Sequence, residues 1–119
     1  MTLQFNPLVK KGFDESQSLV DLDARYTRKK TTATKTEDYT ITSSDGTIIV
    51  DASSNTVTIT LPTAVGINGT SYMIKCIDDT FTVTVDTDGA ETIDAELTQT
   101  LNQNDNISIV SDGANWIII

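Results

Sequence analysis

Two stretches of this chain alternate between apolar side chains and threonine. Residues 55–61 read Asn-Thr-Val-Thr-Ile-Thr-Leu and residues 81–87 read Phe-Thr-Val-Thr-Val-Asp-Thr. A β-strand turns successive side chains to opposite faces, so a period of two specifies one buried face and one wetted face. Threonine suits the wetted face because its β-branched side chain is stiff at χ1 and already prefers an extended backbone. It occurs 21 times in 119 residues, while the large aliphatic residues are modest in number. A chain of this length makes one domain and buries roughly two thirds of the surface its unfolded form exposes. The expected core is therefore thin and gains from association.

From Glu37 onward the same grammar continues. Strands are expected near 38–43, 47–51, 55–61, 70–77, 80–86, 91–94, 98–101, 106–111 and 115–119. Turn formers punctuate them at Ser44-Asp45-Gly46, Ser53-Ser54-Asn55, Asn68-Gly69, Asp78-Asp79, Asp88-Gly89 and Asp112-Gly113. Pro62, which has no ladder donor, ends the third strand. The last two strands read as a hairpin across residues 111–115. The fold class expected is all-β, a compact antiparallel β-sandwich or barrel-like domain over residues 37–119, preceded by an N-terminal attachment arm, extended and partly helical, over residues 1–36.

That arm has three parts. Met1 to Gly12 carries Leu3, Phe5, Leu8 and Val9 around the breakers Asn6-Pro7 and Lys11-Gly12, which predicts an irregular peptide docked on a partner. Asp14 to Lys30 is the one helical candidate. Leu19, Leu22 and Tyr26 fall on one helix face, acids lie early, and Arg25, Arg28, Lys29 and Lys30 lie late, which complements the helix dipole. About four turns would be marginal alone, so the segment needs packing partners, either the body, sister helices or another protein. Residues 31–36, Thr-Thr-Ala-Thr-Lys-Thr, read as a polar linker.

The net charge of −9 conceals a split. Residues 1–36 hold seven cations against four acids, a net of +3, and residues 37–119 hold Lys75 against thirteen acids, a net of −12. An acidic body repels nucleic acid and anionic membranes and keeps the particle soluble, and the basic arm suits an acidic protein surface. No stretch approaches the ~20 apolar residues of a membrane span, and Met1 to Gly12 lacks the apolar region of a secretory signal. Cys76 is the single cysteine and reads as a small buried hydrophobe.

Candidates for chemistry are sparse. There is no histidine, which removes the commonest general base. Glu91, Asp94 and Glu96, or Asp86 and Asp88, could in principle form a glycosidase pair, but thirteen acids on strands and turns place such pairs by chance. Asp86-Thr87-Asp88-Gly89 resembles part of a calcium loop without its full ligand set, and a hairpin turn is the simpler reading. Asn68 and Asn106 head glycosylation patterns with no secretory signal beside them. A glycan platform would need exposed aromatics. Tyr39, Tyr72, Phe81 and Trp116 are few, and Phe81 and Trp116 fall in apolar runs that predict core positions.

The blocks Thr-Val-Thr-Ile-Thr-Leu-Pro (56–62), Tyr-Met-Ile-Lys (72–75), Phe-Thr-Val-Thr-Val-Asp (81–86), Gly-Ala-Glu-Thr-Ile-Asp (89–94) and Ser-Asp-Gly-Ala-Asn-Trp-Ile-Ile-Ile (111–119) occur in that order. Together they resemble the small β domains that end tailed-bacteriophage head fibres, tail fibres and related virion surface proteins, over about residues 38–119. Phe5, Asn6, Pro7, Leu8, Val9, Lys10, Lys11 and Gly12 are similar to openings of phage structural proteins. The resemblance implies a homotrimer with no cofactor and no catalysis, made in the host cytoplasm and carried on the virion surface. It implies docking on a capsid or tail protein through residues 1–30, with Phe5 to Lys11 as the docking peptide. Compared with depolymerase spikes, this chain lacks the long repetitive β-helix region, so polysaccharide cleavage is not implied.

Association is also expected on physical grounds. Short strands leave sheet edges that must be hidden, and closed symmetry hides them. Ile117, Ile118 and Ile119 cannot all face one side of a strand, so a neighbouring subunit is the natural cover for the second face. Leu19, Leu22, Tyr26, Ile117 and Ile119 are the expected stalk and trimer contacts. The expected function is a short head fibre or capsid decoration. The alternative is a carbohydrate-binding or receptor-binding tip that contacts a host surface glycan.

Overall fold

The computed structural model describes residues 30–119, and among these there is no helix. Nine strands follow one another: β1 (Thr31–Lys35), β2 (Tyr39–Thr40), β3 (Asp45–Asp51), β4 (Val57–Thr60), β5 (Ser71–Asp78), β6 (Val83–Asp86), β7 (Thr98–Leu101), β8 (Asn106–Ser111) and β9 (Trp116–Ile118). They form a five-stranded sheet in the order β1-β3-β5-β8-β9 and a four-stranded sheet in the order β2-β4-β6-β7. Both sheets are mixed.

The first six strands alternate between the two sheets. Each odd strand joins the first sheet, each even strand the second, and each pairs in parallel with the strand two places earlier. The chain therefore winds as three stacked coils, β1-β2, β3-β4 and β5-β6. Only then does it reverse. β7 closes on β6, β8 on β5 and β9 on β8, all antiparallel. This corrects the antiparallel sandwich or barrel expected from sequence: four of the seven pairings are parallel. The reason is physical. Alternation of Thr with Val or Ile specifies which side of a strand is buried, and it is the same in parallel and antiparallel ladders. Asp-Gly and Asn-Gly turns can as readily carry the chain across to the opposite sheet as back along the same one.

The inner faces of both sheets fill a single core. Ile48, Val50, Tyr72, Ile74, Cys76, Ile109 and Trp116 come from the first sheet, and Val57, Ile59, Val83, Val85 and Leu101 from the second, with Ile41, Leu61 and Ile93 closing the ends. The buried Cys76 is the small hydrophobe expected, and burial pushes its thiol above the ordinary value, which keeps it protonated and inert.

Three local readings change. Residues 31–36, expected as a linker, contain β1, an edge strand whose Thr32 to Lys35 pair in parallel with Thr47 to Val50. Threonine's extended preference supplies the strand, and pairing with β3 replaces the apolar face that the segment lacks. Residues 91–94 make only isolated bridges, because Asp94 and Ala95 turn through positive φ of 50° and 72°. Phe81, expected in the core, is 44% exposed, since the chain is still bending there before the ladder of β6 begins. Trp116 is fully buried, as expected.

A buried carboxylate ties the first coil to the second. Asp45, at the start of β3, accepts hydrogen bonds from the Tyr39 hydroxyl at 2.7 Å, the Thr42 N–H at 2.8 Å, the Thr42 hydroxyl at 3.2 Å and the Thr31 hydroxyl at 3.2 Å. Burial pushes this carboxyl up, but the four donors outweigh it and hold Asp45 below the usual carboxylate range. The same bond, with burial and the Asp45 charge, raises the Tyr39 phenol. Lys35 lies over the Tyr39 ring, 3.8 Å from its centre, and finishes the exposed end of the coil with a cation–π contact.

The neighbouring Gly46 marks how closely β1 approaches. A Cβ there would stand 2.5 Å from the Lys30 Cβ and 3.4 Å from the Thr31 carbonyl oxygen. Gly46→Ala is therefore expected to push β1 off β3 and to cost about 1–3 kcal/mol. Chemical denaturation would check it, and hydrogen exchange should show the loss concentrated in residues 31–35.

Candidate association face

The two sheets present chemically different outer faces. On the second sheet, in-register rows run Thr40, Thr60, Asp86, Thr98 and Thr58, Thr84, Thr100. This is a surface of hydroxyls and one carboxylate, and it belongs in water.

The first sheet is different. Its outward positions form three rows across the strands: Thr34, Ile49, Lys75, Asn106; Thr32, Thr47, Met73, Ser108; and Ser71, Val110, Ile117. The Ile119 N–H donates to the Ser108 carbonyl at 2.8 Å, which carries the second row on to Ile119. Met73 is diagonal to both Ile49 and Val110, and Val110 is directly opposite Ile117, so these side chains are neighbours on one surface. Met73 is 43% exposed, Ile117 38% and Ile119 73%.

Between these apolar groups the surface dips. Gly46, Thr47, Ser71 and Ser108 are small and surround Met73, with Lys30 and Ile119 at the margins, and the depression measures about 350 Å³. The cations here are held by carbonyls. The Lys30 Nζ donates to the Ser43 oxygen and the Lys75 Nζ to the Asn104 oxygen, each at 2.9 Å. At the far end of β3 and β5 the bulge sets two acids side by side, Asp51 and its register partner Asp78; Asp51 accepts from the Ser53 N–H.

The expected contacts Ile117 and Ile119 both lie on this face, while Ile118 packs toward the core. Ile49, Met73 and Val110 escaped the sequence reading. Their signal was present, since each is the outward apolar residue of an otherwise alternating strand, but the neighbours that join them are far apart in sequence. Phe5, Asn6, Pro7, Leu8, Val9, Lys10 and Lys11, and Leu19, Leu22 and Tyr26, lie outside the described residues.

Three of the five acids weighed for catalysis accept local hydrogen bonds. The Glu91 carboxylate accepts from the Thr63 hydroxyl and the Ala64 N–H, Asp94 from the Ile118 N–H, and Asp86 from the Thr87 N–H. Among the described residues no group of three or more His, Cys, Asp or Glu side chains could hold a metal ion. Tyr72, weighed as a glycan contact, is buried against Trp116 with ring centres 5.7 Å apart. No protein-family model and no curated protein matches this chain.

Proposed function

We propose that this chain is a non-enzymatic structural protein of a virion surface, a short head fibre or capsid decoration. In this reading residues 1–30 anchor the protein to a capsid or tail protein, and the β body projects outward as a homotrimer. The observation that supports it best is the polarity of the stack. The arm leads into β1, the margin strand of the first sheet, and the antiparallel strands β7, β8 and β9 lie on the opposite side, with β7 and β9 at the far margins. One end is thus available for attachment and the other for exposure. The commitment of Glu91, Asp94 and Asp86 to backbone donors also favours a structural role over a hydrolytic one.

Removing residues 1–30 is expected to leave a folded, associated β body that no longer joins particles. Co-sedimentation of the truncated and full chains with assembled capsids would check it. Equal incorporation of the two forms would refute the anchoring role of the arm.

A further inference from the structure

We propose that copies of this chain meet through the outer face of the first sheet, with Met73, Val110, Ile117 and Ile119 at the centre of the contact and the threonine rows of the second sheet turned to solvent. The inference deepens the homotrimer reading above by assigning its interface, and it rests on that reading only for the number of copies.

Three features lead to it. On this face Ile49, Met73, Val110, Ile117 and Ile119 are neighbours across β3, β5, β8 and β9, set among small polar residues, rather than scattered exposed side chains, which are ordinary on any protein. It has relief: the dip around Met73, walled by Gly46, Thr47, Ser71 and Ser108, lies beside the protruding Ile119. With the protruding Ile119 at the margin of the hollow, the isoleucine of one copy can enter the hollow of the next, a fit open to a closed ring or a twofold pair.

Charge selects the occupant. Residues 37–119 carry a net −12, so two copies repel over most of their surfaces. The three outward rows of the first sheet contain Lys75 and no acid, and the paired Asp51 and Asp78 stand beyond them at the far end of β3 and β5. This is the surface on which one acidic body can approach another without placing like charges together. An acidic partner of different sequence would need a cationic surface, and this face offers it Lys75 and, at the margin, Lys30 around an apolar centre. A second copy fits better.

The test uses the full chain and its native mass at micromolar concentration. The wild type should be oligomeric. Met73→Lys and Ile117→Lys should each raise the dissociation constant roughly a hundredfold, the size of a central interface residue, while Thr84→Lys on the opposite face should leave it unchanged. Circular dichroism would verify that each variant is folded. A second measurement needs no substitution. Peroxide oxidation of Met73 should be slow in concentrated protein and quicken on dilution as the sulfur is uncovered. A wild-type oligomer that tolerates Met73→Lys, or whose Met73 oxidises at one rate at all concentrations, would overturn the assignment and leave the threefold reading standing. A folded wild-type monomer would overturn both.

Discussion

Trp116→Ala is expected to remove about 3–5 kcal/mol of stability, a large part of the 5–15 kcal/mol typical of a whole domain. The indole is fully buried and tilted against Tyr72, and its backbone is hydrogen-bonded on both sides. Its N–H donates to the Thr92 carbonyl at 2.8 Å and its carbonyl accepts from the Asp94 N–H at 3.0 Å. Deleting the ring opens a void beside Tyr72 in the core that the two sheets share. Trp116→Phe should cost much less. The Trp116 Nε1 is buried and meets no acceptor among the described residues, and an unpaired buried donor is worth about 1–3 kcal/mol against the native state. Phenylalanine gives up contact area but also removes that donor. Urea unfolding of the two variants would check it. A Trp116→Phe protein as unstable as Trp116→Ala would show that the indole nitrogen matters in a way this packing does not explain.

Asp45 should make the second large contribution, and one that depends on pH. Asp45→Ala removes the acceptor of four hydrogen bonds, so a loss of about 2–4 kcal/mol is expected, given ~1.5–3 kcal/mol for a bond to a charged group. The sign of the pH effect follows from the lowered pKa. Between the folded and unfolded values the unfolded chain binds more protons, so stability rises with pH there. The contribution is complete above the ordinary carboxylate value of about 4 and disappears as pH falls through the lower folded value. Asp78, bonded by Thr80, and Asp112, bonded by the Asn115 and Ala114 N–H groups, are lowered as well and add to the same slope. Thermal melts between neutral pH and about pH 2 should show a steep acid decline in the wild type and a shallower one in Asp45→Asn. Identical slopes would mean that Asp45 is not held in its charged form.

Much of this fold was readable from residue order alone, and the failures have a common cause. The alternation in 55–61 and 81–87 placed Val57, Ile59, Val83 and Val85 in the core, and the Asp112-Gly113 turn gave the β8–β9 hairpin. These are local signals, in which side-chain parity or backbone freedom acts within a few residues. Strand direction is not local. Nothing within 45–51 or 71–78 states that Ile48 sits beside Ile74 in parallel rather than antiparallel register, because the pleat exposes the same side chains either way. Nor could β1 be seen, since Thr31 to Lys35 has almost no apolar side chain and owes its conformation to β3. The association face was half visible. Three successive isoleucines forced one or more to point outward, which gave Ile117 and Ile119, but Met73 becomes their neighbour only once β5, β8 and β9 are laid side by side.

The two margins of the first sheet are finished differently, and this limits how the molecule can go astray. At β9 the flanking stretch from Thr92 to Asp94 and the Asp94 carboxylate occupy the outward N–H and C=O groups. At β1 no described strand lies on the far side. Unwanted joining of copies through this sheet has one docking side per molecule, and a molecule with one docking side can join one other. Among the described residues, closing one of the two borders leaves edge-to-edge joining along this sheet a single route, which ends at a pair and not at a growing fibre.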